Sequence, residues 1–155
     1  MIIGFLATFG ATFLAALVGS SASISASKFY AQLVKPRWAP PAKVFGPVWT
    51  VLYLMMAFSA WLIVRNGGGN TNLLLGTYGV QLAVNALWSW TFFKWKSGIA
   101  SMVTIIVLWI AIAATVFGFW KVDPWAGALL LPYWAWVTFA SVLNATVWRL
   151  NPELL

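Results

Sequence analysis

The chemistry open to this 155-residue chain must come from aromatic rings and amides, because it contains no cysteine and no histidine. Thiolate nucleophiles, Cys/His zinc sites, histidine triads and His or Cys haem ligation are thereby excluded. The acids are Asp123 and Glu153 alone, both at the ends of apolar runs, so carboxylate catalysis and proton-coupled transport through buried acids have nothing to use. Gly67-Gly-Gly69 leads into no helix-opening Gly-Lys-Ser/Thr and is a loop rather than a phosphate cradle. What remains is twelve tryptophans, several far from any charge, and a polar series at a spacing of four: Gln81, Asn85 and Ser89, with Trp88 and Phe92 alongside.

That spacing puts the three polar side chains on one face of a helix. Inside a membrane such groups face the bundle interior, a cavity or a partner helix. Gln81 reads as an interhelical hydrogen-bond partner, worth about 1 kcal/mol or less. Asn85 reads equally as such a partner or as a ligand contact. Elsewhere Trp136 lies one turn after Pro132, and Ala140 and Asn144 continue its face. A carbonyl released by the proline, and a small residue next to a large indole, leave room for a guest. With Trp49, Tyr53, Trp88 and Trp134 also at mid-run positions, this set suits a flat, largely apolar ligand. The other side of the Gln81 helix carries Gly76, Gly79, Ala83 and, partly rotated, Ala86. Small residues at this spacing serve either close packing within a bundle or a homodimer seam.

The elements that must position these residues belong in a bilayer. Hydrophobic residues make up 63% of the chain and charged residues 7%, against roughly 25% charged in soluble domains. The net charge of +7 comes from cations at the ends of apolar runs, which favours lipid headgroups over nucleic acid as the partner. Charge-free runs extend over Met1–Ser27, Val44–Val64, Asn66–Phe93, Ser97–Trp120 and Pro124–Trp148. Each supplies the ~20 residues that a helix needs to cross the hydrocarbon core. The expectation is an all-α, integral membrane bundle of five transmembrane helices in one domain, 1–155, with spans at about 2–21, 42–65, 71–95, 99–120 and 124–149. Backbone groups left unpaired in lipid are too costly for other structures, and barrel strands would alternate.

The first run lacks the basic flank of a signal peptide, so it reads as a retained helix despite the small residues Ser21-Ala22-Ser23. A lid loop of about 22–41 follows, with a Ser/Ala-rich turn, a short interfacial helix from Lys28, and then Lys35–Trp49. This last stretch combines Pro36, Pro40, Pro41 and Pro47 with Lys35, Arg37 and Lys43. Prolines lack an N–H and fix φ, so a stiff, extended, cationic connector is expected there, closing a cavity below it. Asn66–Asn70 is a flexible loop and Lys94–Gly98 a tight basic turn. Asp123 and Pro124 mark a helix start, and Pro132 is expected to kink that helix. Lys28, Lys35, Arg37, Lys43, Lys94, Lys96 and Arg149 fall on one side, Arg65 and Lys121 on the other. The positive-inside rule then puts the N-terminus outside and the C-terminus in the cytoplasm.

With these residues in view, the chain resembles the translocator protein family (TspO/MBR), the tryptophan-rich sensory proteins also called peripheral-type benzodiazepine receptors. The resemblance is carried by Lys35-Pro-Arg-Trp-Ala-Pro-Pro41 with Trp49 and Tyr53, by Gln81-Leu-Ala-Val-Asn85-Ala-Leu-Trp88, by Leu131-Pro-Tyr-Trp-Ala-Trp136, and by Leu143-Asn-Ala-Thr-Val-Trp-Arg149. It implies a five-helix bundle, usually a homodimer, with a pocket under the first loop that takes porphyrins such as protoporphyrin IX, sterols and synthetic ligands, and no obligatory cofactor or metal. By motif position the pocket residues are Trp38, Pro41, Trp49, Tyr53, Asn85, Trp88, Ser89, Trp136 and Ala140, with Tyr30 capping from the loop. The resemblance also implies an enzymatic alternative, light-dependent porphyrin breakdown involving Trp49 and Trp136, which ranks below binding. One departure stands out. The sterol-recognition pattern at the end of the last helix keeps Leu143 and Arg149, but Ala145 replaces its tyrosine.

Overall fold

The computed structural model describes residues 2–23, 26–66 and 68–155. Parts of the expected Ser/Ala-rich turn and of the Asn66–Asn70 loop, at Ile24, Ser25 and Gly67, lie outside these residues. Among those described, the regular structure is helical throughout: α1 (Ile2–Ser21), α2 (Ala26–Gln32), α3 (Ala42–Asn66), α4 (Thr71–Ser89), α5 (Gly98–Trp120) and α6 (Pro124–Leu150). A single π-helical turn, Trp90–Lys94, prolongs α4. Four helices, α1, α3, α5 and α6, are long and apolar enough to cross a membrane. α4 falls short on composition because it carries Asn72, Thr77, Gln81 and Asn85. The outward faces of α1 and α5 (Ile3, Leu6, Leu14, Ile99, Val103 and Phe117 among them) are exposed and apolar, as lipid contact requires. The chain is an integral, multi-pass membrane protein.

Lipid tails are as apolar as leucine, so helices in a bilayer are held by close approach and by hydrogen bonds rather than by expulsion of water. The bundle shows both. Gly127 brings α6 against the end of α5, where an added Cβ would stand 2.7 Å from the Trp120 ring. Ser59 on α3 donates to the Ala126 carbonyl on α6 at 2.6 Å. α1 is tied to α4 along its length. Thr12 and Tyr78 share a 2.6 Å hydrogen bond, Gly19 sits against Ala86 and Ser89, and the Trp90 indole donates to the Val18 carbonyl at 3.0 Å. Between α1 and α3 the approach is close at the beginning of α1, where Gly4 meets Val64 and Phe5 meets the Trp61 ring edge-on.

The start of α6 follows the expected chemistry. The Asp123 side chain accepts from the Trp125 and Ala126 amides, and Pro124 opens the helix. One proline expectation is corrected. Pro47 lies inside α3, because the carbonyl it leaves unbonded belongs to Lys43 in the exposed first turn. The connector outside the helices therefore covers residues 33–41 only, and it turns at Arg37-Trp38, where the Ala39 amide donates to the Pro36 carbonyl at 3.0 Å. Pro132 lies within a helix that runs without interruption from Pro124 to Leu150. The π turn was not expected at all. It is closed by the Trp95 amide on the Trp90 carbonyl, 2.8 Å, and Lys96 follows with φ 51°.

The two ends of the bundle differ. Asn66 donates to Asp123 at 2.6 Å, joining the ends of α3 and α5 beside Arg65 and Lys121. At the other end, Lys96 lies 4.8 Å above the Phe29 ring, and Asn151 holds Val34 through both of its backbone groups at 2.8 and 2.9 Å. Lys28, Lys35, Lys94, Lys96 and Arg149 thus gather at one end of the bundle.

Candidate functional site: an aromatic cavity between five helices

A cavity of about 520 Å³ lies at the basic end, walled by α1, α2, α3, α4 with its π turn, and α6. Its size is within the roughly 300–1,000 Å³ of small-molecule sites. Trp49 is the centre of its wall. The Trp49 ring is 5.5 Å from Tyr53, 6.4 Å from Trp88 and 6.1 Å from Tyr133. Trp88 stacks on Phe92 at 6.0 Å. Neighbouring residues Phe92 and Phe93 both line the cavity, which the wide π turn allows by rotating less per residue than an α-helix. The polar residues of the lining are Tyr30, Tyr53, Asn144, Ser20, Ser23, Ser27, Thr50 and Ser89.

The cavity is not closed on all sides. Phe13, Leu17 and Ser20 on α1 face Ala42, Gly46 and Thr50 on α3 across its rim, and all six are exposed. The close approach of α1 to α3 at Gly4 and Phe5 lies toward the beginning of α1, and the exposed rim residues mark where the two helices part. Nothing stands within 4 Å of a Cβ added at Gly46.

The expected site residues divide into two groups. Tyr30, Trp49, Tyr53, Trp88, Ser89 and Ala140 line the cavity. Trp38, Pro41, Asn85 and Trp136 do not. Trp136 stands one ring behind the wall, 5.9 Å from Phe45, which is itself on the wall. Trp38 is 49% exposed and packs on Phe139, which packs on Trp136. The cover over the cavity is α2, through Ala26, Ser27 and Tyr30, rather than the proline stretch. Tyr30 latches that stretch by donating to the Pro40 carbonyl at 3.0 Å, and burial raises its phenol above its ordinary pKa so that it remains a donor. Lys35 adds a second latch, donating to the Tyr30 and Leu33 carbonyls at 2.6 and 2.9 Å.

Asn85 is buried and committed to its neighbours. Tyr53 donates to its Oδ1 at 2.7 Å, and its Nδ2 donates to the Tyr133 hydroxyl at 2.9 Å. Tyr133 in turn donates to Gln81 Oε1 at 2.9 Å. Sequence reasoning missed Tyr133, although it lies next to Pro132 and is fully buried. It also missed the Asn151 clamp. Of the small-residue series, Gly76, Gly79 and Ala83 are exposed, with nothing over either glycine. Ala86 is buried beside Gly19 of α1 and does not share that face. Among the described residues there is no cluster of His, Cys, Asp or Glu able to hold a metal ion.

Fold and site together define a helical membrane protein built around an aromatic-walled cavity with few polar groups. The chain belongs to the TspO/MBR family, whose profile matches residues 5–149. It is 42% identical over 129 residues to the tryptophan-rich protein TspO of Chlorobaculum tepidum, covering 82% of each chain. It is 38% identical over 143 residues to the tryptophan-rich sensory protein of Cereibacter sphaeroides, covering 90% of this chain and 89% of that one. It is 40% identical over 127 residues to the human translocator protein, covering 80% of this chain and 75% of the human one. Membership supports a translocator or sensor role in the membrane.

Proposed function

We propose that this protein captures a flat, largely apolar ligand of the porphyrin class in the cavity and takes part in its transport, sensing or disposal. The observation that carries this reading is the wall formed by Trp49, Tyr53, Trp88, Phe92 and Phe93 around about 520 Å³. Such a wall offers ring faces for stacking and few groups that an apolar guest would leave unpaired. The test is quenching of tryptophan fluorescence by protoporphyrin IX in purified protein. Saturable quenching is expected, with Trp49→Ala and Trp88→Ala each weakening affinity about fivefold and Trp136→Phe changing it less than about twofold, since stacking on one ring is worth about 1 kcal/mol. Absence of saturable quenching would overturn the reading.

An enzymatic reading, oxidation of bound porphyrin in light and oxygen, is favoured by one observation: the Trp49 ring is on the cavity wall and within 6.1 Å of two tyrosine rings. It requires product to form faster with the protein than with Trp49→Phe under illumination. Equal, indiscriminate bleaching removes it.

In the bilayer, α4 with its π turn serves as a fifth span, supported by its place between α1 and α5. The basic end faces the cytoplasm, which the positive-inside rule supports. Gly76, Gly79 and Ala83 form the seam of a homodimer, supported by their exposure on an outward face of α4. Gly79→Leu is expected to convert a crosslinkable dimer into monomer without loss of porphyrin quenching.

A further inference from the structure

The chain of hydrogen bonds behind the cavity wall has a direction. Tyr53 donates to Asn85, Asn85 to Tyr133, and Tyr133 to Gln81. Every proton points away from the cavity. At the far end Gln81 is 1% exposed, and its Nε2 has no partner among the described residues. Buried N–H groups without an acceptor are rarer and costlier than carbonyls without a donor. The direction shown therefore ends on the more costly kind of orphan.

Half-turns of the two amides exchange their oxygen and nitrogen atoms in place. Gln81 then donates to Tyr133, Tyr133 to Asn85, and Asn85 to Tyr53. All three links survive, and the orphan becomes a carbonyl. The one proton released is that of Tyr53, the single member of the chain on the cavity wall. It needs an acceptor, and the cavity is where one can be supplied.

We infer that the cavity selects a ligand bearing a hydrogen-bond acceptor (a carbonyl, carboxylate or ring nitrogen), which receives the Tyr53 hydroxyl, and that the Tyr53–Asn85–Tyr133–Gln81 chain holds this polarity because its reverse strands a proton at the Gln81 end. Gln81 is a positioning residue and does not touch the guest. The inference rests on the proposed capture of a flat ligand, and names the polar group that such a ligand presents.

Three planar tricyclic probes separate the alternatives: acridine, which only accepts, carbazole, which only donates, and anthracene, which does neither. Their affinities are measured by tryptophan quenching in mildly alkaline buffer, where acridine is uncharged. Failure of anthracene to bind saturably would count against the cavity reading itself. Given anthracene binding, acridine is expected to bind about fivefold more tightly than either other probe, the scale of one net hydrogen bond, and Tyr53→Phe to bring that ratio to about one. Gln81→Leu strands the Tyr133 proton if the chain points inward but only a lone pair if it points outward. It should therefore leave the acridine-to-carbazole ratio at its wild-type value or above it. A lowered ratio in Gln81→Leu, or an acridine preference that persists in Tyr53→Phe, overturns the inference. Should Gln81→Leu fail to fold, the Tyr53→Phe ratio decides alone.

Discussion

Two buried asparagines flank the cavity, and they are held very differently. Asn85 is behind the wall, in bonds of 2.7 and 2.9 Å to two tyrosine hydroxyls. Asn144 is on the wall, and its bonds are long: 3.4 Å from the Trp88 indole, 3.3 Å to Ser101 and 3.6 Å to the Met102 sulfur. Short bonds between buried groups fix a geometry, whereas bonds near 3.5 Å hold little. Asn85 is thus part of the frame, and Asn144 is the amide with capacity to spare. Burial and residue type are alike at the two positions; the partners distinguish them.

Replacing each partner in turn tests this difference. Asn85→Leu strands both the Tyr53 and the Tyr133 hydroxyls and is expected to cost about 2 kcal/mol of stability, read from denaturation in detergent. Tyr133→Phe leaves the Tyr53–Asn85 bond in place and should cost about 1 kcal/mol by the same measurement. Asn144→Leu should cost about 0.5 kcal/mol, because the bonds it removes are already long. Trp88→Phe, which removes the indole donor but keeps a ring, should change stability no more than Asn144→Leu does. A double variant of Trp88→Phe with Asn144→Leu should show coupling below about 0.3 kcal/mol. If Asn144→Leu proves as costly as Asn85→Leu, the division into frame and spare capacity is wrong.

The helices were legible because charge and length impose them. The charged residues end the apolar runs, and Asp123 with Pro124 marks the start of α6 by a local bond that needs no tertiary partner. The face of α4 was legible too, since a spacing of four carries Gln81 and Asn85 to the interior. How deep a residue sits on that face was not legible. Ser89 reaches the cavity, whereas Gln81 and Asn85 meet tyrosines from other helices, and a spacing rule says nothing about which neighbour arrives. Tyr133 escaped notice for the same reason. Trp136 and Trp38 share motifs with residues of the wall, yet Phe45 and Phe139 come between them and the cavity. The π turn has no glycine or proline to announce it, and Asn151 lies beyond the last cation of α6, where the pattern of runs and fences stops.

The parting of α1 from α3 bears on how affinity should be expressed. Phe13, Leu17, Gly46 and Thr50 border the gap from within two helices that cross the membrane, so a solute dissolved in the hydrocarbon meets it broadside. For such a solute the concentration that matters is its mole fraction in lipid. An affinity quoted per volume of water then depends on how much bilayer is in the tube, weakening as lipid is added at constant protein and total ligand. Titrations at two lipid-to-protein ratios would superpose on a mole-fraction axis and separate on a molar one.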